Sequence, residues 1–108
     1  MSWVNVCDET SLPQGTGVAA WVAGKAVAIF NLGKNGLFAI DNVDPASGVS
    51  LLARGLICEI AGQLCVASPL YKQHYCLKTG VCLEDSQLIA SPFAIKTEQG
   101  RVFVLAKG

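Results

Sequence analysis

Apolar and polar residues alternate along this chain in short bursts, and glycine ends most of them. A period of two is the mark of a half-buried strand. The pattern predicts strands at residues 3–7, 17–22, 25–32, 37–41, 56–60, 63–67, 73–77, 81–84, 93–97 and 101–106. Hairpin bends fall at Ala23-Gly24, Ala61-Gly62, Lys78-Thr79-Gly80 and Glu98-Gln99-Gly100. Lys34-Asn35-Gly36 is the strongest turn signal, because Asn-Gly supplies the positive φ angles of a type I′ turn. No stretch has the period of a long amphipathic helix, and residues 50–54 suffice for one turn. About ten short strands with regularly spaced turns predict one all-β domain of short antiparallel strands, in stacked sheets or a partly open barrel.

Composition narrows the class. Of the 108 residues, 52% are hydrophobic and 15% charged, with a formal net charge of zero. Such a chain is not disordered, and it is long enough for one domain but not two. Its lysines and arginines stand singly, so nucleic acid is not an expected partner. A neutral, apolar surface is poorly protected against association, which points to cover by another chain. Residues 17–33 are the most apolar stretch, but Gly24-Lys25 divides them, so a hairpin is expected and no membrane span. The first residues lack the features of a secretory signal. A cytoplasmic location and reduced thiols are therefore expected.

Candidate chemistry is sparse. The single histidine, His74, has no nucleophile elbow to serve, and no phosphate-binding glycine motif is present. The five cysteines form no C-x-x-C pair, so no zinc or thioredoxin-like site is expected. The assumed turns place Cys58 opposite Cys65 and Cys76 opposite Cys82. Each pair is then either a packing pair of buried thiols or a redox-sensitive one.

Two loops carry a family resemblance. Asn42-Val43-Asp44-Pro45-Ala46-Ser47-Gly48, after Phe38-Ala39-Ile40-Asp41, resembles the N-x-C-P-H-x-G ligand loop of Rieske iron–sulfur domains. Ser68-Pro69-Leu70-Tyr71, after Leu64-Cys65-Val66-Ala67, resembles their second loop, C-P-x-H. Tyr75-Cys76-Leu77-Lys78-Thr79-Gly80 is similar to the aromatic strand and closing turn. The resemblance implies the Rieske-like fold, but all four ligand positions depart from it. Asp44 and Ser68 stand where thiolates belong, and Ala46 and Tyr71 where imidazoles belong. Lys72 replaces a glycine of the second loop. No metal is therefore expected in this chain.

The resemblance is more specific to one branch, the cluster-less small subunits of assimilatory NAD(P)H-dependent nitrite reductase. The run Ser68-Pro69-Leu70-Tyr71-Lys72-Gln73 carries it best, with Ile40-Asp41-Asn42-Val43-Asp44-Pro45 and Leu52-Ala53-Arg54-Gly55-Leu56-Ile57 beside it. It implies an accessory subunit with no cofactor of its own. Its partner would be a large catalytic subunit carrying FAD, sirohaem and a [4Fe–4S] cluster, which reduces nitrite to ammonium. Without ligands, the loops leave a protruding face for docking. Asp44, Pro45, Ser47, Arg54, Pro69, Tyr71, Lys72 and His74 are its candidate contacts, with Asp44 also expected to accept backbone N–H bonds. Two other readings stay open: a Rieske-type electron-transfer protein that binds a [2Fe–2S] cluster, and a free-standing regulatory or small-molecule-binding β-domain.

Overall fold

The computed structural model describes residues 2–107. Among them run ten strands: β1 Trp3–Asp8, β2 Gly17–Val22, β3 Lys25–Asn31, β4 Leu37–Asp41, β5 Leu56–Ile60, β6 Gln63–Ala67, β7 His74–Cys76, β8 Pro92–Phe93, β9 Ile95–Glu98 and β10 Arg101–Leu105. They form three antiparallel sheets, ordered β1-β10-β9, β2-β3-β4-β8 and β5-β6-β7.

The four-stranded sheet lies in the middle. One face of β3 and β4 packs Ala28, Phe30 and Ile40 against Val66 and Tyr75 of the β5-β6-β7 sheet. The other packs Val27, Ile29 and Ala39 against Val102 and Val104 of β10. Val27, Ala28, Ile29 and Phe30 are each 0% exposed, which is why β3 reads as an unbroken apolar run rather than an alternation. Burial on both faces makes this stretch apolar, and among the described residues no helix is long and apolar enough to cross a membrane.

Turn chemistry differs from the sequence expectation in four places. The two-residue bends with positive φ at both residues are Ala23-Gly24, Ala61-Gly62 and Gln99-Gly100. Arg101 pairs with Glu98, so the last bend is one residue shorter than expected. Asn35 does not take a positive φ. Gly33–Asn35 forms a 3₁₀ turn, and Gly33 and Gly36 supply the left-handed geometry instead. Residues 81–84 make isolated bridges, Tyr75 to Cys82 and Val81 to Ile89, rather than a strand. Residues 93–97 are broken, β8 pairing with β4 and β9 with β10.

The third difference moves a cysteine. Cys76 N–H donates to Val81 O at 3.0 Å, so the bend spans residues 77–80 rather than 78–80. One extra residue shifts the register by one. Cys82 therefore faces Tyr75, and Cys76 faces Cys65, not Cys82. Cys58 does face Cys65. Burial, reinforced by Cys58 and Cys76, pushes the Cys65 thiol up to about 11, and burial also raises Cys58. Thiols in that state are weak nucleophiles at neutral pH. All five cysteines are free.

Candidate functional site

Both ligand-type loops leave the ends of central strands and meet at one tip. The first follows β4. Asn42 is 5% exposed and bonds to both sides of its loop. Its Nδ2 donates to Ser50 Oγ at 2.8 Å, and its Oδ1 accepts from Ala53 N–H at 2.7 Å. Its carbonyl accepts from Leu51 and Leu52 N–H at 2.9 and 3.0 Å. These bonds start the 3₁₀ turn Leu52–Arg54 directly behind the loop. The bend itself closes through Gly48 N–H to Asp44 O at 2.7 Å, with Gly48 at φ 74. Pro45 fixes φ beside it.

The tip is centred on Asp44, which is 0% exposed. Its Oδ1 accepts from Tyr75 Oη at 2.7 Å and from Ala46 N–H at 2.9 Å. Its Oδ2 accepts from Ser68 Oγ at 2.6 Å, across to the second loop. Burial pushes the Asp44 carboxyl up, but the hydrogen bonds from Ser68, Tyr75 and Ala46 together hold it below the usual carboxylate range. Burial, then the bond to Asp44, pushes the Tyr75 phenol well up, so it stays a donor. The carboxylate is thus ionised at neutral pH and held by neutral donors, as a buried charge must be.

This donor set does not fit a [2Fe–2S] cluster. The two thiolate positions hold oxygens that are bonded to each other, which leaves no place for an iron between them. At the imidazole positions, the Ala46 side chain has no atom that could ligate a metal, and Tyr71 is 60% exposed. An oxygen pair, a methyl and an outward phenol cannot replace two thiolates and two imidazoles. Among the described residues no group of His, Cys, Asp or Glu is placed to hold a metal ion.

Ser68 is buried and closes the second loop: its N–H donates to Gln73 O at 2.8 Å and its carbonyl accepts from Lys72 N–H at 3.0 Å. Lys72 adopts φ 59, so the left-handed geometry of the missing glycine survives without the glycine. Pro69, Leu70, Tyr71 and Lys72 all face outward. Between this loop and the turn Leu52–Arg54 lies a groove of about 410 Å³, lined by Arg54, Leu56, Pro69, Lys72 and His74. Gly55 permits the close approach, since a Cβ there would meet Ala67 O at 2.3 Å. His74 Nδ1 lies 2.7 Å from Glu84 Oε2, and His74 N–H donates to Glu84 Oε1 at 2.8 Å. Burial pushes the Glu84 carboxyl up, but these His74 bonds help to pull it below its usual value.

Of the candidate contacts, the structure brings Arg54, Pro69, Lys72 and His74 to one groove, with Tyr71 on the same loop. Pro45 and Ser47 are half-buried on the other loop and do not line the groove. Asp44 is a correction: with its side chain wholly buried it cannot touch a partner, and it acts by joining the loops. Sequence reasoning missed Leu56, 77% exposed, and Leu70, 47% exposed. Nothing in Leu56-Ile57-Cys58-Glu59-Ile60 says which face is outward. It also missed the bond between loops, although an acceptor at 44 and a hydroxyl at 68 were a legible complementary pair.

The fold and the paired loops define a Rieske-like domain whose ligand positions are replaced. The family model for the Rieske-like [2Fe-2S] domain matches residues 2–105. The nitrite reductase (NADH) small subunit of Salmonella typhimurium is 43% identical over 101 residues, covering 93% of this chain and 94% of that one. A crystal structure of the putative NADH-dependent nitrite reductase small subunit from Mycobacterium tuberculosis superposes with a TM-score of 0.93 at 33% identity, covering 99% of this chain and 96% of that one. The nitrite reductase [NAD(P)H] large subunit of Klebsiella oxytoca contains a segment 33% identical over 102 residues, which is 94% of this chain but 11% of that protein. The chain belongs to the Rieske-like family and, within it, to the small subunits of NADH-dependent nitrite reductase.

Proposed function

We propose that this chain is the accessory subunit of a cytoplasmic, assimilatory nitrite reductase, that it carries no redox centre, and that it docks on the large subunit through the tip of its two loops. In this reading FAD, sirohaem and a [4Fe–4S] cluster belong to the large subunit, which passes electrons from NAD(P)H to nitrite and forms ammonium. The observation that carries the reading is the bond of Ser68 to Asp44. It holds the loop frame together with side chains that no iron–sulfur cluster would accept, so the frame is kept for its shape. Of the seven exposed large apolar residues among those described, Val49, Leu56, Leu70 and Tyr71 belong to these loops or border them, which supports docking there. The Klebsiella oxytoca relative supports the partner, because there the matching segment is part of the large-subunit polypeptide.

The test has two measurements on separately purified subunits. This chain, prepared anaerobically, is expected to be colourless, EPR-silent and free of iron. Nitrite-dependent NADH oxidation by the large subunit is expected to rise when this chain is added. A stoichiometric iron–sulfur signal would restore the electron-transfer reading. Full activity of the large subunit alone would overturn the accessory role.

A further inference from the structure

We propose that Arg54 and Lys72 form a two-cation clamp over an apolar slot, and that the slot receives a carboxylate-bearing apolar segment of the nitrite reductase large subunit. This rests on the docking reading and deepens it by naming the chemistry of the contact.

Three observations converge on the groove between the turn Leu52–Arg54 and the second loop. First, its walls are apolar where they are most open: Leu56 is 77% exposed, and Pro69 stands on the same groove. Second, its cations are free. The ion pairs among the described residues are His74–Glu84, Lys96–Glu98 and Arg101–Asp8, so Arg54 and Lys72 have no carboxylate within ion-pair distance. Glu84, the acid beside the groove's His74, is held by the His74 imidazole and amide. Third, Lys72 sits at φ 59, where an L side chain is strained and glycine is not. Ala23, Ala61 and Gln99 share this region, each in a two-residue hairpin bend, whereas Lys72 takes it in the second loop on the rim of the groove; strain outside such bends is found at ligand clamps. A lysine kept in a glycine conformation on the rim of an apolar slot is one such case.

Two other clefts lack this combination. The cleft of Asn31, Leu37 and Lys96 holds a lysine already paired with Glu98. The cleft of Phe38, Leu64 and Lys78 holds a single lysine. Of these three clefts, the groove at the tip is the one that joins two unpaired cations to an exposed apolar side chain, and Leu70 and Tyr71 of the docking loop follow Pro69 on its rim. An arginine fork and an ammonium on the same groove suit a carboxylate, with the apolar slot taking the side chain next to it.

The experiment measures binding of this chain to its purified large subunit by biolayer interferometry at low and at high salt. Arg54→Ala and Lys72→Gly are each expected to weaken binding about tenfold at low salt and to flatten its salt dependence. Lys72→Gly relieves the backbone strain, so it should melt at a higher temperature than the parent while binding worse. That combination separates lost contact from lost folding. Parental affinity and salt dependence in both variants, with Tyr71→Ala still weakened, would overturn the clamp and leave the docking tip standing. Parental affinity in Tyr71→Ala and Leu70→Ala as well would overturn docking through this tip altogether.

Discussion

The loop of residues 42–55 and the loop of residues 68–73 meet at one hydrogen bond, yet they are built in opposite senses. In the first, two polar side chains turn inward at the bend, while Arg54 at its far end stays exposed. Asn42 and Asp44 are buried and hold the backbone on both sides of the bend. In the second, only Ser68 turns inward, and the next four residues face outward. In a cluster-binding domain both loops are held by iron, so both must present ligands at one point. Here an aspartate accepts from a serine, and one bond does the joining. The first loop is then free to act as a rigid buttress and the second as the presented surface.

The largest break in this contrast is Asp44→Ala. It leaves the Tyr75 and Ser68 hydroxyls and the Ala46 N–H without their acceptor in a buried place. A loss of about 3 kcal/mol or more in unfolding free energy is expected, read from denaturant melts. Ser68→Ala and Tyr75→Phe each remove one donor to the same carboxylate, and each should cost about 1–2 kcal/mol. If Ser68→Ala were neutral, the loops would not depend on that bond.

Acid should act on the buttress before the presented loop. The folded Asp44 carboxyl lies below its unfolded value, so its contribution is fully present above about pH 4 and is lost as pH falls through the folded pKa. Denaturant midpoints between pH 7 and 2 should fall less steeply in Asp44→Asn than in the parent.

On the outward loop the expected effects are on binding. Tyr71→Ala should leave stability within about 0.5 kcal/mol, yet weaken the large-subunit complex about tenfold. Smallest of all is Ser47→Ala. Ser47 Oγ accepts Val49 N–H at 3.2 Å on the exposed side of the buttress, and it contributes less than Ser68, Tyr75 or Ala46 to lowering the Asp44 carboxyl. Its removal should change neither stability nor binding by more than about 0.5 kcal/mol. A large binding loss there would shift the docking face toward the first loop.

Much of this was legible in sequence because local signals and the fold agree. Strands Gly17–Val22, Leu37–Asp41, Leu56–Ile60 and Gln63–Ala67 carry the bounds that alternation and glycine predict. What escaped depends on long-range contacts. Gln73 lies outside β7, and residues 81–84 bridge without forming a strand. The chain changes sheets at Ala94, where neither pattern nor turn residue marks a break. Asn35 lost its expected positive φ, which Gly33 and Gly36 on either side supply instead. At the tip, the ligand replacements were visible as residues. That Asp44 would be wholly buried was not, because the donors that permit its burial are 24 and 31 residues away.

Hydrogen–deuterium exchange of this chain, alone and bound to the large subunit, tests the central claim most directly. Docking through the tip predicts slower exchange on complex formation at the amides of residues 54–56 and 70–74. The β2–β3 hairpin and the β9–β10 hairpin should exchange as they do in the free chain. Protection confined to those hairpins, with residues 70–74 unchanged, would contradict the account.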